Sequence, residues 1–309
     1  ALRYEVAREA DNNYDNETLV RVADQLIELE PFTTHYWIML FRGQARLDRR
    51  DDARTTYDSA KALAADDPVA MLGLADAVYT SATYLLSDMA ATLKRIKDQH
   101  PDDFDYTDAY CAMLVQLGNM NGAIREIKAY LDRKPATARA IRQLLMCNSA
   151  GSKPYLKRFF EHATNDDIAE LDSESLASTL NMRGAHVAVD ALISSFDSPE
   201  VPFEPYYSIW MESLFALGKY GEIVRLGEYS EILDSLLQTP LKGASMAFVY
   251  TVSLLKTGNY DKASEYVARV RPIIEQTMAD VPLPLRMAQR TFLTLASKID
   301  KDHVDDKLY

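Results

Sequence analysis

The chain has 309 residues, 48% hydrophobic and 26% charged, with a formal net charge of −12. That charge repels a phosphate backbone and argues against nucleic acid as a partner, and no run reaches the roughly 18 uninterrupted apolar residues of a membrane span. Two cysteines, Cys111 and Cys147, are too few for a disulfide framework or a zinc site; both fall in apolar helical runs, where buried reduced thiols are expected.

With only 11 Gly and 12 Pro, and few β-branched runs, the pattern is helical throughout. Leu26, Ile27, Leu29 and Pro31 predict the end of a first helical unit. From Thr34 to Asp67 two helices are predicted. The first carries Trp37 and Leu40, the second Ala53, Tyr57 and Ala60, and Pro68 closes the unit. Phe41 follows Leu40 where Gly would be usual, and the turn falls at Asp48-Arg49-Arg50. The stretch from Pro68 to Pro101 predicts another pair, with Met71, Leu74 and Ala75 on its first helix and an enlarged turn. Asp102 to Pro135 repeats the pattern with Gly118, Ala123 and Ile127. Together these form an array over 1–135.

Residues 136–204 read as degenerate helical pairs. Apolar periodicity persists in Ala140–Leu145 and Leu176–Leu180, a turn falls at Gly151-Ser152-Lys153-Pro154, and Ser198–Pro205 is the expected linker and candidate hinge. Regularity returns over 205–309. One unit offers Tyr207, Gly218 and Tyr220; the next offers Tyr250, Gly258, Tyr260 and Ala263. Leu285 to Ile299 predicts a capping helix whose apolar face runs through Leu285, Met287, Ala288, Phe292, Leu293 and Leu295. A frayed polar tail is expected from Asp300 onward.

The recurring junction is clearest at Leu117-Gly118-Asn119, Leu217-Gly218-Lys219 and Thr257-Gly258-Asn259. Gly ends the first helix, a small residue lets the second approach it closely, and Pro tolerates only the first turn of the next. These segments resemble the tetratricopeptide repeat, a helix–turn–helix unit of about 34 residues, over about two thirds of the chain. The resemblance implies an all-α fold, a right-handed α-α superhelix or solenoid of stacked pairs. It also implies a noncatalytic protein-interaction scaffold whose concave face, lined by the first helices, takes a protein or peptide segment.

Carried over unit by unit, that face comprises His35, Ile38, Arg42 and Arg46, then Leu72, Asp76 and Tyr79, then Asp108 and Ala112. In the C-terminal array it comprises Ser208, Glu212, Phe215, Phe248 and Val252. Arg42 and Arg46 are four apart and share a helix face, and Arg49, Arg50 and Arg54 extend a basic patch. Two readings stand: an anchor for a partner's carboxylate, or a solvated face paired with Asp48, Asp51 or Asp52. Chaperone-binding members of the family clamp a C-terminal carboxylate with Lys, Asn and Arg. The matching positions here hold His35, Ile38, Met39 and Arg42, then Leu72 and Asp76, then Asp105, Asp108 and Ala109, so that clamp is absent. Of the 18 tyrosines, Tyr57, Tyr220 and Tyr260 fall at packing positions.

Chemistry-bearing motifs are missing. No Gly-rich phosphate loop, nucleophile elbow, zinc-protease helix or calcium loop occurs, and the five histidines lack ligand spacing. No catalytic residue, metal or cofactor is therefore expected. Asp102, Asp103, Asp105 and Asp108 open a predicted helix, where anions suit the helix dipole, and Asp166, Asp167, Glu170, Asp172 and Glu174 read the same way. Asn16-Glu17-Thr18 matches a glycosylation triplet that a chain of this length contains by chance. Two rival functions remain open: a sensory or regulatory domain of a larger protein, and an all-α enzyme with acids converging in a deep pocket. The chain opens on Ala1 without a secretory signal pattern, which favours the cytoplasm and leaves an exported mature chain open.

Overall fold

Several helices here start where a short polar side chain accepts a backbone N–H, and several end just before a residue whose backbone turns left-handed. The computed structural model describes residues 2–148, 151–196, 204–227, 230–237, 239, 242–278, 281 and 286–301, and among them the regular structure is entirely helical. The chain forms two compact units, Ala1–Pro135 and Ala136–Tyr309.

The first unit consists of α1 (Leu2–Asn12), α2 (Asn16–Leu29), α3 (Thr34–Arg46), α4 (Arg50–Leu63), α5 (Pro68–Ser81), α6 (Leu86–Gln99), α7 (Phe104–Gln116) and α8 (Met120–Leu131). Asp15, Asp67 and Asn119 cap α2, α5 and α8 by accepting from Thr18 N at 3.2 Å, Ala70 N at 3.0 Å and Gly122 N at 3.0 Å. Asp103 does the same for α7 through Asp105 N at 2.9 Å, so the acidic run at 102–105 starts a helix. Each such cap contributes about 1 kcal/mol. The enlarged turn between α5 and α6 is a 3-10 turn, Thr83–Leu85.

Successive first helices α1, α3, α5 and α7 pack on one another, and each second helix packs against the first helix that follows it. Tyr57, Leu74, Met89 and Leu93 are fully buried between the layers. Each contributes about 1.5–3 kcal/mol.

The second unit contains α9 (Ala138–Met146), α10 (Lys153–His162), α11 (Asn165–Leu171), α12 (Ser173–Met182), α13 (His186–Ile193), α14 (Glu204–Ala216), α15 (Tyr220–Leu226), α16 (Ser230–Leu237), α17 (Lys242–Lys256), α18 (Tyr260–Met278) and α19 (Met287–Lys301). Four helix–turn–helix pairs are present: α9–α10, α12–α13, α14–α15 and α17–α18. Helix α11 is inserted against α9 and α12, α16 lies against α17 and α18, and α19 packs on α17 and α18 as a further first helix would.

One backbone device recurs in both units. After every first helix except α5 the residue ending the turn is left-handed: Tyr14, Asp48 and Asn148 at φ 57°, 56° and 50°, and Gly118, Gly184, Gly218 and Gly258 at φ 69–76°. The next residue donates to the carbonyl five back, as in Asp15 N to Ala10 O, 2.9 Å, Arg49 N to Gln44 O, 3.0 Å, and Ala185 N to Leu180 O, 2.9 Å. Asn119, Lys219 and Asn259 repeat that bond at 2.8–2.9 Å. This closes the last turn of the helix and satisfies a carbonyl that would otherwise be orphaned.

Aligned on the left-handed residue, the position four before it is always buried (Ala10, Gln44, Leu114, Leu180, Leu214, Leu254). So is the position five after it at six of the seven turns (Leu19, Ala53, Ala123, Val189, Ile223, Ala263), the exception being the exposed Lys153 that follows Asn148. The chain is therefore an all-α helix–turn–helix repeat.

Two sequence expectations change. Met287, placed on the apolar face of the capping helix, is exposed; the buried stripe is Phe292, Leu295, Ala296 and Ile299, and Met287 lies off that face. Helix α19 continues through Asp300 to Lys301, where a frayed tail was expected. Leu285, most of the Ser198–Pro205 linker and the tail from Asp302 lie outside the described residues.

Candidate partner-binding faces

In the first unit the expected anchor is already occupied from within. Arg42 Nη1 donates to Asp11 Oδ2 at 2.5 Å, and Arg46 Nη1 donates to Asp11 Oδ1 at 2.7 Å, so one carboxylate on α1 holds two guanidinium groups on α3. These three side chains are only 14–18% exposed. Arg42 Nη2 also reaches Asp76 Oδ2 on α5 at 3.2 Å, and the Arg46 guanidinium lies 4.6 Å from the Tyr14 ring centroid.

The expected local partners Asp48, Asp51 and Asp52 do not pair with these two arginines. Arg42 and Arg46 point along the first-helix layer toward α1, whereas Asp48 sits in the turn and accepts from Arg50 Nε at 2.7 Å. The rest of the basic patch is neutralised one by one. Arg49 donates to Glu17 at 2.9 Å and Arg54 to Asp58 at 3.3 Å.

His35 Nε2 lies 3.4 Å from Tyr4 Oη. Its burial, reinforced by the nearby Arg42 charge, holds the imidazole below the usual histidine range. His35 is therefore neutral at pH 7 and adds no cation. Asp76 and Tyr79 are exposed on α5, while Asp108 on α7 is buried.

In the second unit Glu212 accepts from Asn181 Nδ2 at 2.8 Å, and Ser213 Oγ donates to Asn181 Oδ1 at 3.2 Å, tying α12 to α14. Phe215 meets the Phe248 ring edge-on at 6.2 Å between centroids. Beyond Phe248, the side chains of Phe248 and Val252 from α17 and Thr291, Thr294, Leu295 and Lys298 from α19 line an open cleft of about 280 Å³. Lys298 is exposed at its edge and has no carboxylate partner among the described residues.

The structure thus brings Phe248 and Val252 together in one site and leaves His35, Asp76 and Tyr79 on another unit. Thr294 and Lys298 were missed because α19 reads as a terminal cap. Their spacing with Thr291 and Leu295, at i, i+3, i+4 and i+7, was the available signal.

Among the described residues no group of His, Cys, Asp and Glu is arranged to hold a metal ion, and no helix is long and apolar enough to cross a membrane. Cys111 and Cys147 are both free and buried, and burial pushes the Cys147 thiol up.

No family model matches the chain, and no curated protein matches it. Among solved structures, the chain is similar to the tetratricopeptide repeat domain of P58(IPK), with 12% identity over 97% of each chain and a TM-score of 0.28. At that score no residue can be carried across. The repeat assignment rests on the helix pairs and on the left-handed turn they share.

Proposed function

We propose that the protein is a noncatalytic scaffold that takes a segment of another protein on its first-helix layers. The cleft between α17 and α19 is the principal pocket in this reading. The observation that supports it is the convergence of Phe248 and Val252 with Leu295 around an open space of about 280 Å³ rimmed by Lys298.

A space of that size accepts one large apolar side chain. Burying a Leu or Phe there contributes about 1.5–3 kcal/mol, enough to act as an anchor residue. Lys298 at the rim favours a carboxylate beside that anchor, so the preferred segment pairs an apolar residue with an acidic one. On the first unit, His35, Asp76 and Tyr79 offer secondary polar contacts. Arg42 and Arg46 contribute only where a ligand carboxylate displaces that of Asp11.

Selection from a random displayed-peptide library tests this. The wild type is expected to enrich apolar–acidic pairs. Thr294→Trp, which fills the cleft from an exposed position, is expected to lower affinity at least about tenfold, a loss typical of blocking an anchor. Lys298→Glu should shift selection toward basic neighbours. If both variants select and bind the same peptides as the wild type, the cleft is not the binding site.

A further inference from the structure

Antiparallel pairing sends every second helix of the first unit back to the end where the next first helix begins. The loops α2–α3, α4–α5 and α6–α7 therefore lie side by side at one end of Ala1–Pro135. Each loop repeats a composition: Glu28-Leu29-Glu30-Pro31-Phe32, Asp66-Asp67-Pro68-Val69, and Pro101-Asp102-Asp103-Phe104-Asp105. None of these segments contains Lys or Arg.

Apolar side chains project among the acids. Phe32 is 84% exposed, Val69 80% and Leu29 63%. The third loop, from Gln99 to Asp105, borders an open hollow of about 740 Å³. Two basic groups that reach this end are engaged: Lys134 Nζ holds Asp102 at 2.8 Å, and Arg133 donates to Pro101 O at 3.2 Å.

We infer that this loop edge is a second docking surface, for a lysine- or arginine-rich amphipathic helix of another protein. Charge selects the sign of the partner, since the three loop segments carry seven carboxylates and no lysine or arginine, even with Lys134 set against Asp102. Spacing selects the helix. Packed neighbouring helices lie about 8–10 Å apart, and two turns of helix advance about 11 Å, so an apolar residue every seventh position meets successive loops. Phe32 and Val69 are then the contacts on adjacent repeats, and lysines on the flanks of the helix meet Glu28, Glu30 and Asp66. This surface and its partner differ in unit and in charge from the cleft at Phe248.

The test uses the full chain and a synthetic helical peptide with leucines at heptad spacing and lysines elsewhere, with a scrambled peptide of identical composition as control. Binding is read by fluorescence anisotropy at physiological ionic strength. The expected result has three parts: the patterned peptide binds more tightly than the scrambled one, Phe32→Ser/Val69→Ser weakens it at least about tenfold, and Asp66→Lys weakens it further. Thr294→Trp leaves this binding unchanged, which separates it from the cleft. Equal binding of the scrambled peptide would reduce the effect to net charge and overturn the proposal. So would undiminished binding by Phe32→Ser/Val69→Ser, or no binding of the patterned peptide by the wild type. All the substituted positions are exposed, so circular dichroism should show an unchanged helical fold.

Discussion

The first-helix layer of Ala1–Pro135 presents Arg42 and Arg46 locked on Asp11, while that of Ala136–Tyr309 presents Phe248 and Val252 beside an open cleft. Arg42 and Val252 both stand six residues before the left-handed residue of their turns, so one repeat position carries a neutralised charge in the first unit and lines an apolar cleft in the second. A guanidinium that already holds a carboxylate must exchange it to bind a partner, and the two contributions nearly cancel. An open apolar cleft exchanges only water. Residue type alone does not say whether a side chain on a repeat protein is free to meet a partner; the neighbouring repeat can already hold it, as Asp11 holds Arg42 and Arg46.

The largest expected effect breaks the charged side of that comparison. Asp11→Ala leaves two guanidiniums, each under 20% exposed, without their carboxylate, and should cost about 3 kcal/mol in urea unfolding. Asp76→Ala removes only the 3.2 Å contact of a carboxylate that is 63% exposed and should cost under about 0.5 kcal/mol. Equal losses would mean that Asp11 is not the keystone of this face. A milder change, Asp11→Asn, should make the first unit bind acidic peptides that the wild type ignores, turning the closed face into an open one.

Next in size is Phe248→Ala, which acts on the apolar side. Phe248 is half-buried and touches Phe215, so a stability loss of roughly 1–2 kcal/mol is expected, about half that of a full core aromatic. Peptides selected by the wild type should weaken more than tenfold. A stability loss without a binding loss would make Phe248 a packing residue and move the pocket elsewhere.

The turns give a smaller effect and show what could be read in the sequence. Gly118, Gly218 and Gly258 announce their turns because glycine is the usual left-handed residue. Tyr14, Asp48 and Asn148 hold the same conformation without glycine, so those junctions carried no such signal. Gly184 was legible: Leu180, Gly184 and Val189 stand at the spacing of Leu214, Gly218 and Ile223. Its unit was hidden because α11 intervenes before it and breaks the period.

The pairing of Arg42 with Asp11 was hidden for another reason. Their separation of 31 residues becomes a contact only once the register of neighbouring repeats is fixed. The spacing of Arg42 and Arg46 predicted their shared face but not what that face touches.

Gly184→Ala, forced to φ 69°, should cost about 1 kcal/mol, whereas Asp48→Gly should stabilise by up to about 0.5 kcal/mol. Thermal unfolding of the two variants checks this. Shifts of the same sign would mean that the two turns are not equivalent.

The smallest expected effect is a pH dependence, and it belongs to the first unit. Asp88 on α6 accepts from Tyr57 Oη at 2.5 Å and Lys61 Nζ at 2.7 Å. Burial works to raise its pKa, and the two hydrogen bonds outweigh burial, so the carboxyl sits below the usual carboxylate range. A lowered folded-state pKa stabilises the protein above the unfolded value, near 3.8, and that contribution is lost as pH falls through the folded one. Because the side chain is 37% exposed, solvent screening holds it to about 0.5 kcal/mol or less. In the second unit Asp190 takes the corresponding pair of donors, Trp210 Nε1 at 3.0 Å and Lys219 Nζ at 2.7 Å. The hydrogen bond to Asp190 holds Lys219 above its usual range, so its contribution is present below about pH 10.5 and fades only as pH rises beyond that. Asp88→Asn should therefore flatten the decline of stability below pH 4, and Lys219→Met should flatten the decline above about pH 10.5. Urea titrations at pH 3, 7 and 11 check both: a decline as steep as that of the wild type, on the acid side in Asp88→Asn or on the alkaline side in Lys219→Met, would break the corresponding assignment.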